Sequence, residues 1–207
     1  MQYLLHDFIV EKHVKRALEE DIGFGDITTD SIYNENIPMR AVLNSRTEGI
    51  VCGVGVVKTV FKLLDPDIKV EILMNDGDKI QTGQDIAVIE GGCRGILTGE
   101  RTALNYIQRM SAIATMANKY QEAIKPYKAR VVDTRKTTPG FRLFEKYAVK
   151  VGGGSLHRFN LSDCVMLKDN HISYVGSITE AVKKVRASIS HAHKIEVEVD
   201  TFDQMKE

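Results

Sequence analysis

Near its start the chain alternates apolar and polar residues with a helical period. Over residues 7–20, Phe8, Ile9, Val14, Ala17 and Leu18 share one side and Glu11, Lys12, Lys15, Arg16 and Glu19 the other, which predicts an amphipathic helix closed by Gly23 and Gly25. Residues 39–46 and 68–73 alternate as strands do, and residues 56–64 between them read as a helix with Val57, Val60, Phe61 and Leu64 inward. The run Asn75-Asp76-Gly77-Asp78 signals a turn that leads into a β-rich stretch ending at Glu90. Residues 97–125 form a long helical region, expected as two helices meeting near Ser111, with Leu104, Ile107, Met110, Ile113 and Met116 as a core stripe.

After Pro126 the pattern changes. Residues 130–134, 165–167 and 195–199 read as short strands, residues 143–149 and 179–186 as helices, and a further helix starts at Thr201. Strand alternating with helix predicts parallel β/α units. About three such units fit before Glu207, whereas a closed β/α barrel takes eight strands and typically ~250 residues. The expected fold class is therefore α/β: a mixed α/β sandwich with its helical region over residues 1–112, then an incomplete α/β barrel over 113–207 that the chain leaves unfinished.

The segment GDKIQTGQDIAVIEGG resembles half of a biotinyl/lipoyl hammerhead. A carrier of that kind needs a modifiable lysine on a tight hairpin after its last strand. Glu90 is instead followed by Gly91-Gly92-Cys93, so the segment is read as a β-rich corner of the first domain.

Composition narrows the class. The chain has 207 residues, 43% hydrophobic and 27% charged, enough for a real core and ordinary for a globular protein. No apolar run approaches the ~18 residues of a membrane span. Residues 1–7 lack a basic region and a cleavage motif, so secretion is not expected. Cys52, Cys93 and Cys164 are widely separated and form no CxxC, which fits a reduced, cytoplasmic setting and supports neither disulfides nor zinc.

Lysine plus arginine equals aspartate plus glutamate, 28 against 28, yet one stretch is strongly cationic. Residues 133–171 gather Arg135, Lys136, Arg142, Lys146, Lys150, Arg158 and Lys168, with His157 and His171, against Asp133, Glu145, Asp163 and Asp169. A focused excess inside a neutral chain points to an anion site and away from a nucleic-acid surface. Val131-Val132 precede Asp133 and Val165-Met166-Leu167 precede Lys168, and strand ends are where parallel β/α folds present their chemistry.

Within that stretch, Thr134-Arg135-Lys136-Thr137-Thr138-Pro139-Gly140 is a donor-rich loop, with a fork and a point charge for carboxylate or phosphate. The glycines Gly152-Gly153-Gly154 before His157-Arg158 could bare backbone N–H groups to an anion. Lys168 at a strand end reads as functional, and His171 as a hydrogen-bonded structural group. Glu196, Glu198 and Asp200 share one face of a strand and need cations or a metal if buried. No Ser-His-Asp or Cys-His arrangement is evident.

Together these segments resemble the quinolinate phosphoribosyltransferase family. The resemblance covers essentially the whole chain: EDIGFGDITT from Glu20, ERTALN from Glu100, SAIAT from Ser111, then DTRKTTPG, GGGSLHR, LKDNH and EVEVD in the family order. Ala112 stands where the family usually has glycine, which should matter only for helix packing.

The resemblance implies transfer of phosphoribose from phosphoribosyl pyrophosphate to quinolinate with decarboxylation, giving nicotinate mononucleotide, pyrophosphate and CO2, a step of de novo NAD biosynthesis. It implies a homodimer in which Arg101 reaches the partner's site. It assigns the dicarboxylate to Arg135, His157, Arg158 and Lys168, with Thr134 among the substrate contacts. It places Lys136 and Lys168 by the ribose phosphate and lets Glu198 place Mg2+ largely through water. The catalytic set is then Lys136, Lys168 and Glu198. The family's 5′-phosphate loops and second metal-binding acid would fall beyond Glu207, so the 207 residues alone are expected to be poorly stable and inactive. The rival readings are a non-catalytic partner subunit that lends Arg101, and a related phosphoribosyltransferase with another acceptor.

Overall fold

The computed structural model describes residues 5–207, so residues 1–4, part of the segment read for a secretion signal, lie outside the described residues. The chain divides into two compact units between Leu156 and His157. The division expected after residue 112 falls inside the continuous helix α4.

In the first unit, helices α1 (Asp7–Ile22), α2 (Ile27–Ile32), α3 (Val54–Leu64), α4 (Cys93–Ala123) and α5 (Arg142–Val151) accompany five strands. These strands are β1 (Pro38–Asn44), β2 (Gly49–Ile50), β3 (Lys69–Ile72), β4 (Lys79–Ile80) and β5 (Asp85–Gly92). An antiparallel sheet has the order β1-β5-β3, and β2 pairs with β4. Central β5 buries four consecutive residues, Ile86 to Ile89. It is the longer strand of the hammerhead-like segment, which also holds β4, and it is seated in this sheet as a structural element.

The core joins α1, α3, α4 and α5. Val10, Val14 and Leu18 of α1 meet Val57, Val60 and Phe61 of α3, Ile107 and Met110 of α4, and Phe144 and Ala148 of α5. The helical periods of α1 and α3 predicted most of this, but Phe8 is 71% exposed and Val10 takes its place inward.

Helix α4 differs more. It is one helix of 31 residues and does not break at Ser111. The Ser111 hydroxyl accepts from Cys52 N at 2.9 Å and donates to Cys52 O at 3.2 Å, so it bonds across the core and leaves its own helix intact. One turn on, Thr115 Oγ1 accepts from Ile50 N at 2.8 Å. The SAIAT motif thus fastens the β2 segment to α4. The buried stripe also differs from that expected: Met116 is 54% exposed, while Ala103, Ala114 and Ala117 lie inside. Small side chains win here because other backbone approaches closely. A Cβ on Gly152 would sit 2.3 Å from Ala114 O and 2.8 Å from Ala117 Cβ.

The second unit holds β6 (Val165–Leu167), α6 (Asp169–Val175), α7 (Ile178–Ser188), β7 (Ile195–Val197) and α8 (Phe202–Lys206). Strands β6 and β7 pair in parallel, with Val165 opposite Ile195 and Leu167 opposite Val197. This is the β/α pattern predicted, and no closed barrel forms among the described residues. The expected strand over 130–134 is reduced to one parallel bridge, Val132 with Ser155. No helix among the described residues is long and apolar enough to cross a membrane.

Candidate active site

Two short segments hold the start of the cationic loop in the first unit. Ser155 N donates to Val131 O at 2.7 Å and Asp133 N to Ser155 O at 3.1 Å. Thr134 follows, its Oγ1 accepting from Lys136 N at 3.0 Å, which folds the backbone tightly under Arg135. Arg135 is half-buried, and its Nε is buried with no hydrogen-bond partner among the described residues. Such a donor is costly unless a ligand oxygen completes it. Lys136 is exposed.

Helix α5 supports this loop from below. Lys146 Nζ lies 2.6 Å from Asp133 Oδ1, with side chains 2% and 3% exposed. Arg142 Nε donates to Thr137 Oγ1 at 3.1 Å. The Glu145 carboxylate accepts from Thr138 N at 3.2 Å, from Thr138 Oγ1 at 2.8 Å and from Arg109 Nη2 at 2.8 Å. Burial opposes ionisation of Glu145, but the hydrogen bonds from Arg109 and Thr138 and the Arg109 charge outweigh it and hold the carboxyl below its ordinary range.

The glycine run has a different role from the anion cradle considered above. Gly152 N donates to Ala148 O, Gly153 N to Lys150 O and Gly154 N to Val149 O, all within 2.9–3.1 Å. These N–H groups close the end of α5. Gly152 also admits α4, and Gly153 adopts φ +95.

In the second unit the acidic strand faces the cations. His157 Nδ1 accepts from Arg158 N at 2.7 Å, so the ring proton sits on Nε2, which meets Glu196 Oε1 at 3.1 Å. Arg158 Nη1 donates to Cys164 O at 3.1 Å and its Nη2 lies 3.5 Å from Met166 Sδ, which aligns the guanidinium along β6. Lys168, directly after β6, meets Glu198 Oε2 at 2.7 Å, and both are about half exposed, at 46% and 59%. His171 Nδ1 accepts from Lys168 N at 3.0 Å, the structural role foreseen for it. Asp200 is exposed, and its N–H bonds Gln204 at the start of α8.

Lys168 with Glu198 and His157 with Glu196 thus come together within the second unit; Thr134, Arg135 and Lys136 do so within the first. Arg101 stands exposed on α4 in the first unit. No group of three His, Cys, Asp or Glu side chains able to hold a metal forms among the described residues. Glu198 can therefore offer a divalent cation one carboxylate, not a cage, and that carboxylate is engaged with Lys168.

Sequence reasoning missed Arg109 and the tethering roles of Glu145 and Lys146. Lys146 had counted toward the local cationic excess, but Asp133 neutralises it in the core. No local signal marks these roles, because the partners lie 13 and 36 positions apart. The early motifs likewise prove to be fastenings. Asp26 caps α2 through Thr29 N at 3.0 Å and receives Thr98 Oγ1 at 3.1 Å, and Asp21 receives Thr102 Oγ1 at 3.3 Å.

A mixed α/β unit carrying a guanidinium with an unused buried donor, and a parallel strand–helix unit whose strand ends pair cations with carboxylates, define a β/α protein with its cations set at loops and strand ends. Comparison with known proteins makes this specific. The family model for the N-terminal domain of quinolinate phosphoribosyl transferase matches residues 26–111, and that for its C-terminal domain matches residues 113–207. A Bacillus subtilis protein named probable nicotinate-nucleotide pyrophosphorylase (carboxylating) is 45% identical over 96% of this chain and 68% of its own length. A Methanocaldococcus jannaschii protein of the same name is 42% identical over 99% of this chain and 71% of its own length. The crystal structure of NadC from Streptococcus pyogenes superposes with a TM-score of 0.93 at 42% identity, covering 97% of this chain and 71% of that one. The chain belongs to the quinolinate phosphoribosyltransferase family.

Proposed function

We propose that this protein transfers phosphoribose from phosphoribosyl pyrophosphate to quinolinate with loss of CO2, giving nicotinate mononucleotide and pyrophosphate in de novo NAD biosynthesis. The relatives named above and both family domains support the reaction. Among the geometric observations, the buried, unpartnered Arg135 Nε carries the reading. A planar carboxylate supplies the acceptor that donor lacks, and a guanidinium fork binds it bidentately.

In this reading the pyridine nitrogen bonds to ribose C1 while the C1–O bond to pyrophosphate breaks, its electron pair leaving with pyrophosphate. The bond from pyridine C2 to its carboxylate then breaks. Its electrons remain at C2, where a proton replaces the departed CO2, beside a ring nitrogen now positively charged. Arg135, His157, Arg158 and Lys168 are assigned to the dicarboxylate, with Thr134 shaping the loop through Lys136 N. Lys136 and Lys168 are assigned to the phosphoribosyl group. When the anionic donor takes up Lys168, Glu198 is freed to offset positive charge building on the ribose. Mg2+ would be held by Glu198 chiefly through water and substrate oxygens, where it would shield phosphate charge. The working form is assigned as a cytoplasmic homodimer with Arg101 serving the partner's site.

Arg135→Lys tests the assignment. The charge stays and the fork is lost, so kcat/KM for quinolinate should fall at least about tenfold, the cost of about one charge-assisted hydrogen bond. Lys150→Ala should change it little. Near-wild-type kcat/KM in Arg135→Lys would remove Arg135 from the site.

A further inference from the structure

The loop from Asp133 to Thr138 carries Arg135 and Lys136 but has almost no secondary structure of its own; the Val132–Ser155 bridge ends just before it. Its conformation must be imposed from outside, and the supports come largely from one face of one helix. Arg142, Glu145 and Lys146 stand at i, i+3 and i+4 on α5, so their side chains share a face. Each takes a different part of the loop. Lys146 holds the start through Asp133 at 2.6 Å. Arg142 holds the middle, through Thr137 Oγ1 at 3.1 Å and the Arg135 carbonyl at 3.5 Å. Glu145 holds the end, gripping both the N–H and the hydroxyl of Thr138. Arg109 on α4 backs Glu145 from the other side and also reaches Thr138 Oγ1 at 3.1 Å.

These tethers act on the loop's backbone and on its threonine and aspartate side chains. The head of Lys136 stays exposed and the buried Arg135 Nε stays unused. That division suits a binding loop: ordering is completed in the free protein, so a ligand need not supply it, while the donors remain available. We infer that Arg142, Glu145 and Lys146 are positioning residues which pre-set the Arg135–Lys136 loop for the anionic substrate. This rests on reading that loop as substrate-binding.

Glu145 gives the cleanest test, because its carboxylate bonds the loop end and Arg109 and is not among the residues assigned to the substrate. The protein is compared as wild type, Glu145→Ala, Glu145→Gln and Thr138→Val, in its own full chain. Quinolinate affinity is measured by calorimetry and loop order by amide hydrogen exchange of residues 133–138. Glu145→Ala should weaken quinolinate binding about tenfold, equivalent to about 1.4 kcal/mol, and speed exchange at Thr138 and its neighbours. Glu145→Gln keeps an acceptor for Thr138 N and should recover most of the affinity. A purely structural role would lower the folded fraction and the apparent turnover while leaving affinity per folded molecule unchanged. Thr138→Val removes one hydroxyl tether, should weaken binding about threefold, and takes the place of Glu145→Ala if that variant does not fold.

Unchanged loop exchange, or equal affinity of Glu145→Ala and wild type while Arg135→Ala has lost binding, overturns the inference and leaves the functional reading intact. Equal weakening by alanine and glutamine also overturns it. A wild type that binds no quinolinate, with faster loop exchange in Glu145→Ala, instead overturns the functional reading and leaves the tethers standing.

Discussion

Replacing Lys146 by methionine removes one member of an ion pair whose side chains are 2% and 3% exposed. Methionine matches the length and apolar stem of lysine, so the packing around that buried stem should survive. What remains is the Asp133 carboxylate, buried and no longer facing the Lys146 ammonium. Breaking a buried pair in this way costs about 3–5 kcal/mol, whereas an exposed pair is worth about 0–1 kcal/mol. Lys183–Glu180, with side chains 68% and 55% exposed, is such an exposed pair and serves as the control. For a chain of this size each kcal/mol moves Tm by about 2–4 °C, so Lys146→Met should lower Tm by roughly 6–20 °C. Lys183→Met should move it by no more than about 4 °C. The double variant Asp133→Val/Lys146→Met removes both charges and should recover most of the loss, since desolvating the pair consumes much of its attraction. Urea unfolding followed by far-ultraviolet circular dichroism gives the free energies, provided the m-value is unchanged. A single variant within about 1 kcal/mol of wild type would refute the burial argument. A double variant as unstable as the single would show that shape, not unpaired charge, sets the cost.

Three further outcomes follow from particular contacts. Because its folded-state carboxyl is held low by Arg109 and Thr138, Glu145 contributes stability that is fully present above the ordinary glutamate value of about 4.3 and is lost as pH falls through the lower folded value; the stability gap between wild type and Glu145→Gln should therefore shrink below about pH 4, and a gap constant from pH 6 to 3 would contradict this. Gly152→Ala places a Cβ 2.3 Å from Ala114 O and should cost about 1–3 kcal/mol, whereas Gly55→Ala on α3 meets nothing within 4 Å and should stabilise by up to about 1 kcal/mol, so equal thermal shifts would refute the close-approach argument. For the proposed dimer, inactive Arg101→Ala and Lys136→Ala chains refolded together should regain roughly a quarter of wild-type activity, because half the dimers are mixed and each holds one intact site; no recovery despite mass-confirmed exchange would keep Arg101 out of the partner's site.

Sequence alone was enough for the elements that bury one face. Helices α1 and α3 announce themselves through Val14, Leu18, Val57 and Val60, because a helix on a core needs apolar residues at its own period. Lys168 after Val165-Met166-Leu167 was legible for a similar reason: a short apolar run ending in a cation marks a strand end. The ordered motifs pointed to the family, although several of them prove to be fastenings, such as Ser111 and Thr115 on the β2 segment.

Tertiary structure decided where each polar group spends its hydrogen bonds. Lys146 looked like one cation among many until Asp133 was found beside it in the core. The glycine run looked like a donor cradle until its N–H groups were found closing α5. Met116 fitted the helical stripe, yet alanines hold the contact where Gly152 approaches α4. Periodicity along a chain reports which face is buried, since that depends on neighbours three or four positions away. It does not report which charge meets which, since Arg109 and Glu145, or His157 and Glu196, are joined only when segments 36 and 39 positions apart fold together.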